Sequence, residues 1–233
     1  MVPHAGYVYS GACAAHFYSR LDASVSRVIL IGVNHRGRGH KAALSPWGHW
    51  QTPMGRVSVD VAANAWLQQR WPCLRNDGLA HSHEHSIEVQ LPFLQRVLPA
   101  FSFVPISVAR LSLDECAELG NAIAEFSAVG GERTLILASS DMSHYLSPET
   151  TERLDKMALD QILKRDPVEL LRTVERENIS MCGVIPAAVM LFAANALGAK
   201  STHLLKHCHS GDVSPMSNVV GYASVAIECW RSC

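Results

Sequence analysis

Three residues in this chain have the types and settings to hold a metal ion. His4 stands in Pro3-His4-Ala5-Gly6-Tyr7, and His35 closes Gly32-Val33-Asn34-His35. Asp212 ends the run Lys206-His207-Cys208-His209-Ser210-Gly211-Asp212, at the other end of the sequence. Each falls in a short polar loop beside an apolar run. Two neutral imidazoles and one carboxylate form a ligand set that binds divalent iron and leaves coordination positions open. The competing reading is that His4 and His35 only cap tight loops.

Other residues could act on a substrate at such a site. The apolar run Arg133 to Ser139 delivers Asp141 to its C-terminal end, where open α/β sheets form their ligand crevices. There Asp141 can orient a metal-bound water or a ligand histidine, or cap the next helix. His144 is a candidate general base, because imidazole titrates near neutrality. His85 opens a helical pattern between Glu84 and Glu88; it can meet a substrate carboxylate or phenolate, or only pair locally. Cys182 precedes a helix and is either a thiol of lowered pKa or a small packed residue. Tyr7 and Tyr9 can wall a planar substrate or belong to the core. Arg36 and Arg38 can meet an anion, with exposure to solvent as the default. His207, Cys208 and His209 add soft donors near Asp212 without a role that the sequence assigns.

These loops need elements to position them. Arg27 to Asn34, Phe101 to Val108 and Arg133 to Ser139 are short apolar runs that read as buried strands. Val219 to Cys229 suits a strand late in the same sheet. From Glu84, residues Ile87, Leu91, Leu94 and Leu98 recur at helical spacing, and Pro92 kinks that helix or starts a second segment. Ser112 to Glu115 is a capping box. Ser147-Pro148 and Asp166-Pro167 are helix starts, and Pro186 to Leu197 is an Ala-rich helix stopped by Gly198. A small-residue helix spans Ser10 to Leu21, and only Met1 and Val2 stand where a strand before His4 would lie. Strands alternating with helices imply an α/β layer fold.

Composition narrows the classes. The chain has 233 residues, 48% apolar and 18% charged, which suits one globular domain. A net charge of −1 with no basic stripe argues against nucleic-acid binding. No apolar stretch reaches the roughly 18 residues of a membrane span. Seven cysteines without C-x-x-C spacing, and no visible signal peptide, predict a reduced, cytoplasmic protein.

Five stretches together resemble the Memo family: PHAGYVYSG at 3–11, LIGVNH at 30–35, EHSIEVQLPFL at 84–94, SSDMSHY at 139–145, and SGDVS with VVGYA at 210–214 and 219–223. Their order and spacing agree across nearly the whole chain. The resemblance implies the fold of the protocatechuate-type extradiol ring-cleaving dioxygenases. That is a three-layer sandwich whose central, largely parallel or mixed sheet is flanked by helices, here over residues 1–233 with the first strand missing or very short. Bacterial and archaeal members are often called the B component of a system that includes a radical-SAM protein, which implies such a protein as a partner. The family's metal positions fall on His4 and His35. The third, a cysteine in animal members, falls on Asp212 by counting back from the VGYA motif. Active-site roles are implied for Asp141, His144 and His85.

With Asp212 in place of a thiolate the expected metal is Fe(II), with zinc, manganese and copper as the other candidates. The expected function is a dioxygenase-like oxidoreductase for a small aromatic or anionic molecule. A metal-dependent hydrolase would use the same residues, and a non-catalytic metal- or peptide-binding module could use the same cleft.

Overall fold

The structure, a computed structural model, describes residues 1–129 and 132–229. In chain order the first half comprises α1 (Tyr7–Tyr18), β1 (Arg27–Val33), β2 (Ala42–Leu44), β3 (His49–Thr52), β4 (Gly55–Val59), α2 (Val61–Arg70), β5 (Arg75–Asn76), α3 (Leu91–Val97) and β6 (Ser102–Val108). The second half comprises α4 (Leu113–Ala128), β7 (Thr134–Ala138), β8 (His144–Leu146), α5 (Pro148–Lys164), α6 (Pro167–Arg176), α7 (Val184–Ala196), β9 (Ala199–His209) and β10 (Val219–Cys229).

The central sheet is mixed and seven-stranded, with the path β3-β4-β6-β1-β7 and with β2 pairing both β6 and β5. β4, β6, β1 and β7 run parallel, while β3 pairs β4 and β2 pairs β6 antiparallel. β1 is buried at every position after Arg27, which is why its sequence shows no alternation of polar and apolar residues. Its side chains still divide between two faces. Ile29 and Ile31 join Leu67, Leu119, Ile123 and Val189 in a core beneath α2, α4 and α7. Val28 and Leu30 join Ala14, Phe17, Leu91 and Leu94 beneath α1 and α3. Helices therefore cover both faces, and each fully buried Ile or Leu contributes roughly 1.5–3 kcal/mol. A third core, with Met142, Leu159, Ile162, Leu170, Leu191 and Val225, joins α5, α6 and α7 to β10.

The start signals hold at three helices. Ser112 and Glu115 form the reciprocal capping box of α4, and the side chains of Ser147 and Asp166 accept backbone N–H bonds at the starts of α5 and α6.

Elsewhere the structure departs from the sequence reading. Val219 to Cys229 does not join the central sheet; β10 pairs antiparallel with β9 and β8 in a separate three-stranded sheet. The helix expected from Glu84 is absent until a 3-10 turn at Glu88–Gln90, and α3 begins at Leu91 with Pro92 in its first turn. Glu84 and Ser86 spend their side chains on backbone groups, which competes with helix formation. The α1 helix starts earlier than expected, at Tyr7. Ahead of it, Val2 forms a single parallel bridge to Ser139.

The topology brings three loops together. The chain after Val2, after β1 and after β7 leaves the sheet at the same edge, at the C-terminal ends of parallel strands.

Candidate metal centre

His4 is held from three sides. Val2 donates its N–H to Ala138 O at 3.0 Å, and Ser140 donates back to Val2 O at 2.9 Å, so the start of the chain is fixed to β7. Asp141 Oδ1 then accepts the backbone N–H groups of His4, at 2.7 Å, and Ala5, at 3.2 Å. Asp141 is thus the residue that shapes the turn carrying His4. The imidazole is 2% exposed, and burial lowers its pKa to about 4.

The tautomer of His4 follows from Ser139. The Ser139 hydroxyl donates to Ser86 O at 2.6 Å, which spends its only proton. Its lone pairs then accept Gln90 Nε2–H at 2.9 Å and His4 Nδ1–H at 2.9 Å. Gln90 is fixed in turn, because Tyr18 donates to its Oε1 at 2.7 Å and it donates to Pro3 O at 2.9 Å. His4 Nε2 is left as the acceptor nitrogen, and the Cys182 thiol donates to it across 3.2 Å.

His35 is prepared in the same way by another partner. Its Nδ1 lies 3.0 Å from Glu84 Oε1, and its backbone N–H donates to Glu84 Oε2 at 2.9 Å. A carboxylate only accepts, so Nδ1 carries the proton and Nε2 carries the lone pair. Glu84 also accepts the N–H groups of His85 and Ser86. Burial by itself would raise the Glu84 pKa, but these hydrogen bonds, led by His35, outweigh it and hold the carboxyl at about 2.

The ring of His85 stacks on His35 with centroids 5.0 Å apart, and both stand edge-on to His4 at 5.1 and 5.4 Å. One ring nitrogen from each of His4, His35 and His85 lies within 4.8 Å of the other two. This trio could hold a divalent metal. It is buried on the His4 side and open on the side of His35 and His85, so a ligand could reach it from solvent.

Two glycines permit this closeness. A Cβ on Gly32 would meet Ile87 Cγ1 at 2.4 Å and Ser86 Oγ at 2.6 Å, so only glycine lets β1 approach the His85 segment. A Cβ on Gly183 would meet Ser140 Cβ at 2.4 Å and Ser139 O at 2.5 Å, so only glycine lets Cys182 pack against the loop after β7.

The expected site residues therefore fall in different places. His4 and His35 come together, and Asp141 stands directly behind His4. His85, read from sequence as a substrate-binding side chain, completes the trio. Asp212, expected as third ligand, is not brought to it. Asp212 ends a 3-10 turn at Ser210–Asp212, where its Oδ2 accepts the His209 N–H at 2.9 Å and its side chain stays exposed. His144, on β8, points Nδ1–H at Ser180 O, 2.8 Å away, and leaves Nε2 free, but it is outside the trio. Cys182 stands at His4 with its thiol pushed up to about 12, first by burial and then by Asp141. His207 donates to the fully buried Asp155, its Nε2 lying 2.9 Å from Oδ2, and Cys208 lies beside Cys13, away from the trio. Glu84, Ser139 and Gln90 escaped the sequence reading. Glu84 and Gln90 lie in the EHSIEVQ motif itself, and both fall on the face that Ile87, Leu91 and Leu94 would bury, which is the signal that could have found them.

A mixed α/β sheet with a histidine-lined crevice at the ends of its parallel strands defines the class. The chain belongs to the Memo family: the family profile described as a Memo-like protein matches residues 1–226. A MEMO1 family protein of Methanopyrus kandleri is 40% identical over 232 residues, covering 98% of this chain and 82% of the relative. A MEMO1 family protein of Methanosarcina acetivorans is 42% identical over 229 residues, covering 97% of this chain and 84% of the relative. Among solved structures, an uncharacterized protein of Escherichia coli K12 shares the fold with a TM-score of 0.56 at 13% identity, over 89% of each chain. Among the described residues no helix is long and apolar enough to cross a membrane.

Proposed function

We propose that the chain is a metal-dependent oxidoreductase of the dioxygenase-like type, with one Fe(II) held by His4, His35 and His85. The observation that carries this reading is the pair of fixed tautomers. His4 and His35 each give their Nδ1 proton to an anchored acceptor, which leaves Nε2 of each as the nitrogen able to bind a metal, the one on His4 now accepting from the Cys182 thiol. Histidines that only cap loops have no need of this arrangement, whereas histidines that bind metals regularly have it. An open iron site supplies oxygen activation to a bound substrate. The chain's own contributions are positioning and proton transfer. Glu84 and Ser139 orient the two imidazoles, and Asp141 fixes the loop of His4. His144 Nε2 is a base for a substrate hydroxyl. The substrate is a small aromatic or anionic molecule, and the family's radical-SAM protein is the expected partner.

A second reading is favoured by the donor set itself. Three imidazoles with a thiol alongside suit zinc as well as iron, and a zinc site would turn the same crevice to hydrolysis. Elemental analysis of protein purified anaerobically, beside His4→Ala, His35→Ala and His85→Ala, decides between them. Near one iron per chain, lost in all three variants, supports the oxidoreductase and leads to an oxygen-uptake screen with catechols. Zinc in its place supports the hydrolase. No metal under any loading condition refutes both.

A further inference from the structure

A cavity of about 330 Å³ is lined in part by Glu84, the carboxylate that also holds His35. Its walls are aromatic and acidic: Trp47, Trp50, His81, Glu84 and Glu88, with the exposed His49 and Gln51 of β3 at the side. The three aromatic rings meet at steep angles. Trp47 and Trp50 are inclined at 65° with centroids 6.4 Å apart, and His81 stands at 66° to Trp47 and 79° to Trp50. Such mutually inclined faces form a box rather than a stack.

The box is built before any ligand arrives. Trp50 donates its Nε1–H to Ser45 Oγ at 2.9 Å and sets its ring edge-on to Phe103. Trp47 packs on Gly78, where an added Cβ would come within 3.0 Å of the indole. His81 is 6% exposed, and its two ring nitrogens make no hydrogen bond of good geometry among the described residues. Burial keeps that ring neutral, with a pKa of about 4, so it adds no positive charge at neutral pH. No Lys or Arg lines the cavity.

We infer that this cavity binds an ammonium group, alkylated by preference, belonging to a small molecule. The faces of indole rings carry negative potential that attracts a cation within about 6 Å. The carboxylates of Glu84 and Glu88 add charge of the same sign. An anion would meet both carboxylates. A neutral apolar group would gain nothing from either. A rigid box also spares the ligand the cost of ordering the side chains that hold it. The assignment does not depend on the metal.

The test uses the full chain, isotope-labelled, with choline as probe. Its control is the uncharged isostere in which carbon replaces the quaternary nitrogen. The Nε1–H resonances of Trp47 and Trp50 are expected to move with choline and to saturate at millimolar concentrations. Choline is expected to bind about tenfold or more tightly than the isostere. Trp47→Ala and Glu88→Gln, both on exposed side chains, weaken choline by about threefold or more, and Trp47→Phe restores most of the loss. Choline binds chelator-treated and untreated protein alike, so this assignment and the metal reading fail separately. Equal binding of choline and its isostere would overturn the assignment. So would shifts that never saturate, or wild-type affinity in a natively folded Trp47→Ala.

Discussion

Ser139 Oγ and His4 Nδ1 lie 2.9 Å apart, and this contact decides which nitrogen of His4 faces the crevice. Ser139 has no proton to give His4, because its hydroxyl is committed to Ser86 O. Glu84 does the same for His35 by charge instead of by proton count. One histidine is therefore anchored through a neutral chain that reaches Gln90 and Tyr18, and the other through a buried carboxylate. The two anchors belong to different segments, so each can be cut separately.

Ser139→Ala removes the acceptor for His4 and releases the tautomer. Metal affinity is expected to fall roughly 10- to 100-fold. The loss of a buried hydroxyl that serves three partners should cost about 1–3 kcal/mol of stability. Competition with a chromophoric chelator reads the first effect and denaturant unfolding the second. Unchanged affinity in a folded variant would show that the tautomer of His4 is irrelevant to binding.

Glu84→Gln tests the other anchor. The amide keeps one acceptor oxygen but turns an NH₂ toward the N–H groups of His35, His85 or Ser86. A drop in metal affinity of roughly 10- to 100-fold is expected, with about 1–3 kcal/mol lost from the fold. In wild type the hydrogen-bonded carboxyl is held at about 2 against an ordinary 4.5. Its contribution to stability is therefore full above pH 4.5 and is lost as pH falls toward 2. Glu84→Gln should flatten the acid limb of the stability curve in that window.

Much of this could be read from the chain before its structure. β1 and β6 read as strands because they lie in the middle of a covered sheet, β7 at the end of its path keeps the apolar run TLILA beside β1, and the caps at Ser112, Ser147 and Asp166 are local chemistry. His4, His35 and Asp141 sit directly after strands, so loop position was enough to find them. His85 and Asp212 could not be sorted that way. Asp212 is placed by β9 and β10 pairing with each other apart from the central sheet, and no local pattern in VVGYASVAIEC says which strand it will join; His85 is placed by the packing of its segment on β1 at Gly32. Periodicity also misled at Glu84 to Gln90. Ile87 and Leu91 are buried as a helical face predicts, but Glu84, Ser86 and Gln90 also turn inward, to hold β1 and its loop, Ser139 after β7 and the start of the chain. The short strands β2 to β5 and the helix α2 went unread because few of their residues alternate or repeat.

Asp212→Asn and His85→Ala separate the two candidates for the third ligand. Asp212 is exposed and bonded to its own turn, so Asp212→Asn should change metal affinity by less than about twofold and stability by about 0.5 kcal/mol or less. His85→Ala removes a donor from the trio and should cost at least tenfold in affinity, with little effect on folding because the side chain is exposed. Calorimetric titration of the chelator-treated variants with zinc makes the comparison. The reverse ranking would return the third position to Asp212.

The pH dependence of the metal-free fold should be set by two histidines buried without charge. Burial holds both His81 and His4 at about 4, against an ordinary 6.5. Between those values the unfolded chain binds more protons than the folded one, so stability falls as pH falls. The contribution is full above about pH 6.5, and each histidine adds a slope approaching 1.4 kcal/mol per pH unit on the way down. His207 does not offset this. Asp155 raises its pKa, so its contribution is already complete below 6.5 and is lost only as pH rises above that value. Denaturant unfolding of chelator-treated protein between about pH 6.5 and 5, above the ordinary carboxylate range, should therefore show nearly two protons taken up by these histidines, beside the share of the Met1 amino group, whose pKa burial lowers to about 5. His81→Phe keeps an aromatic ring among Trp47, Trp50 and the strand behind them, and should remove about half of that slope. An unchanged slope would mean that His81 is not held neutral, and that the wall it forms beside Trp50 carries charge near neutral pH.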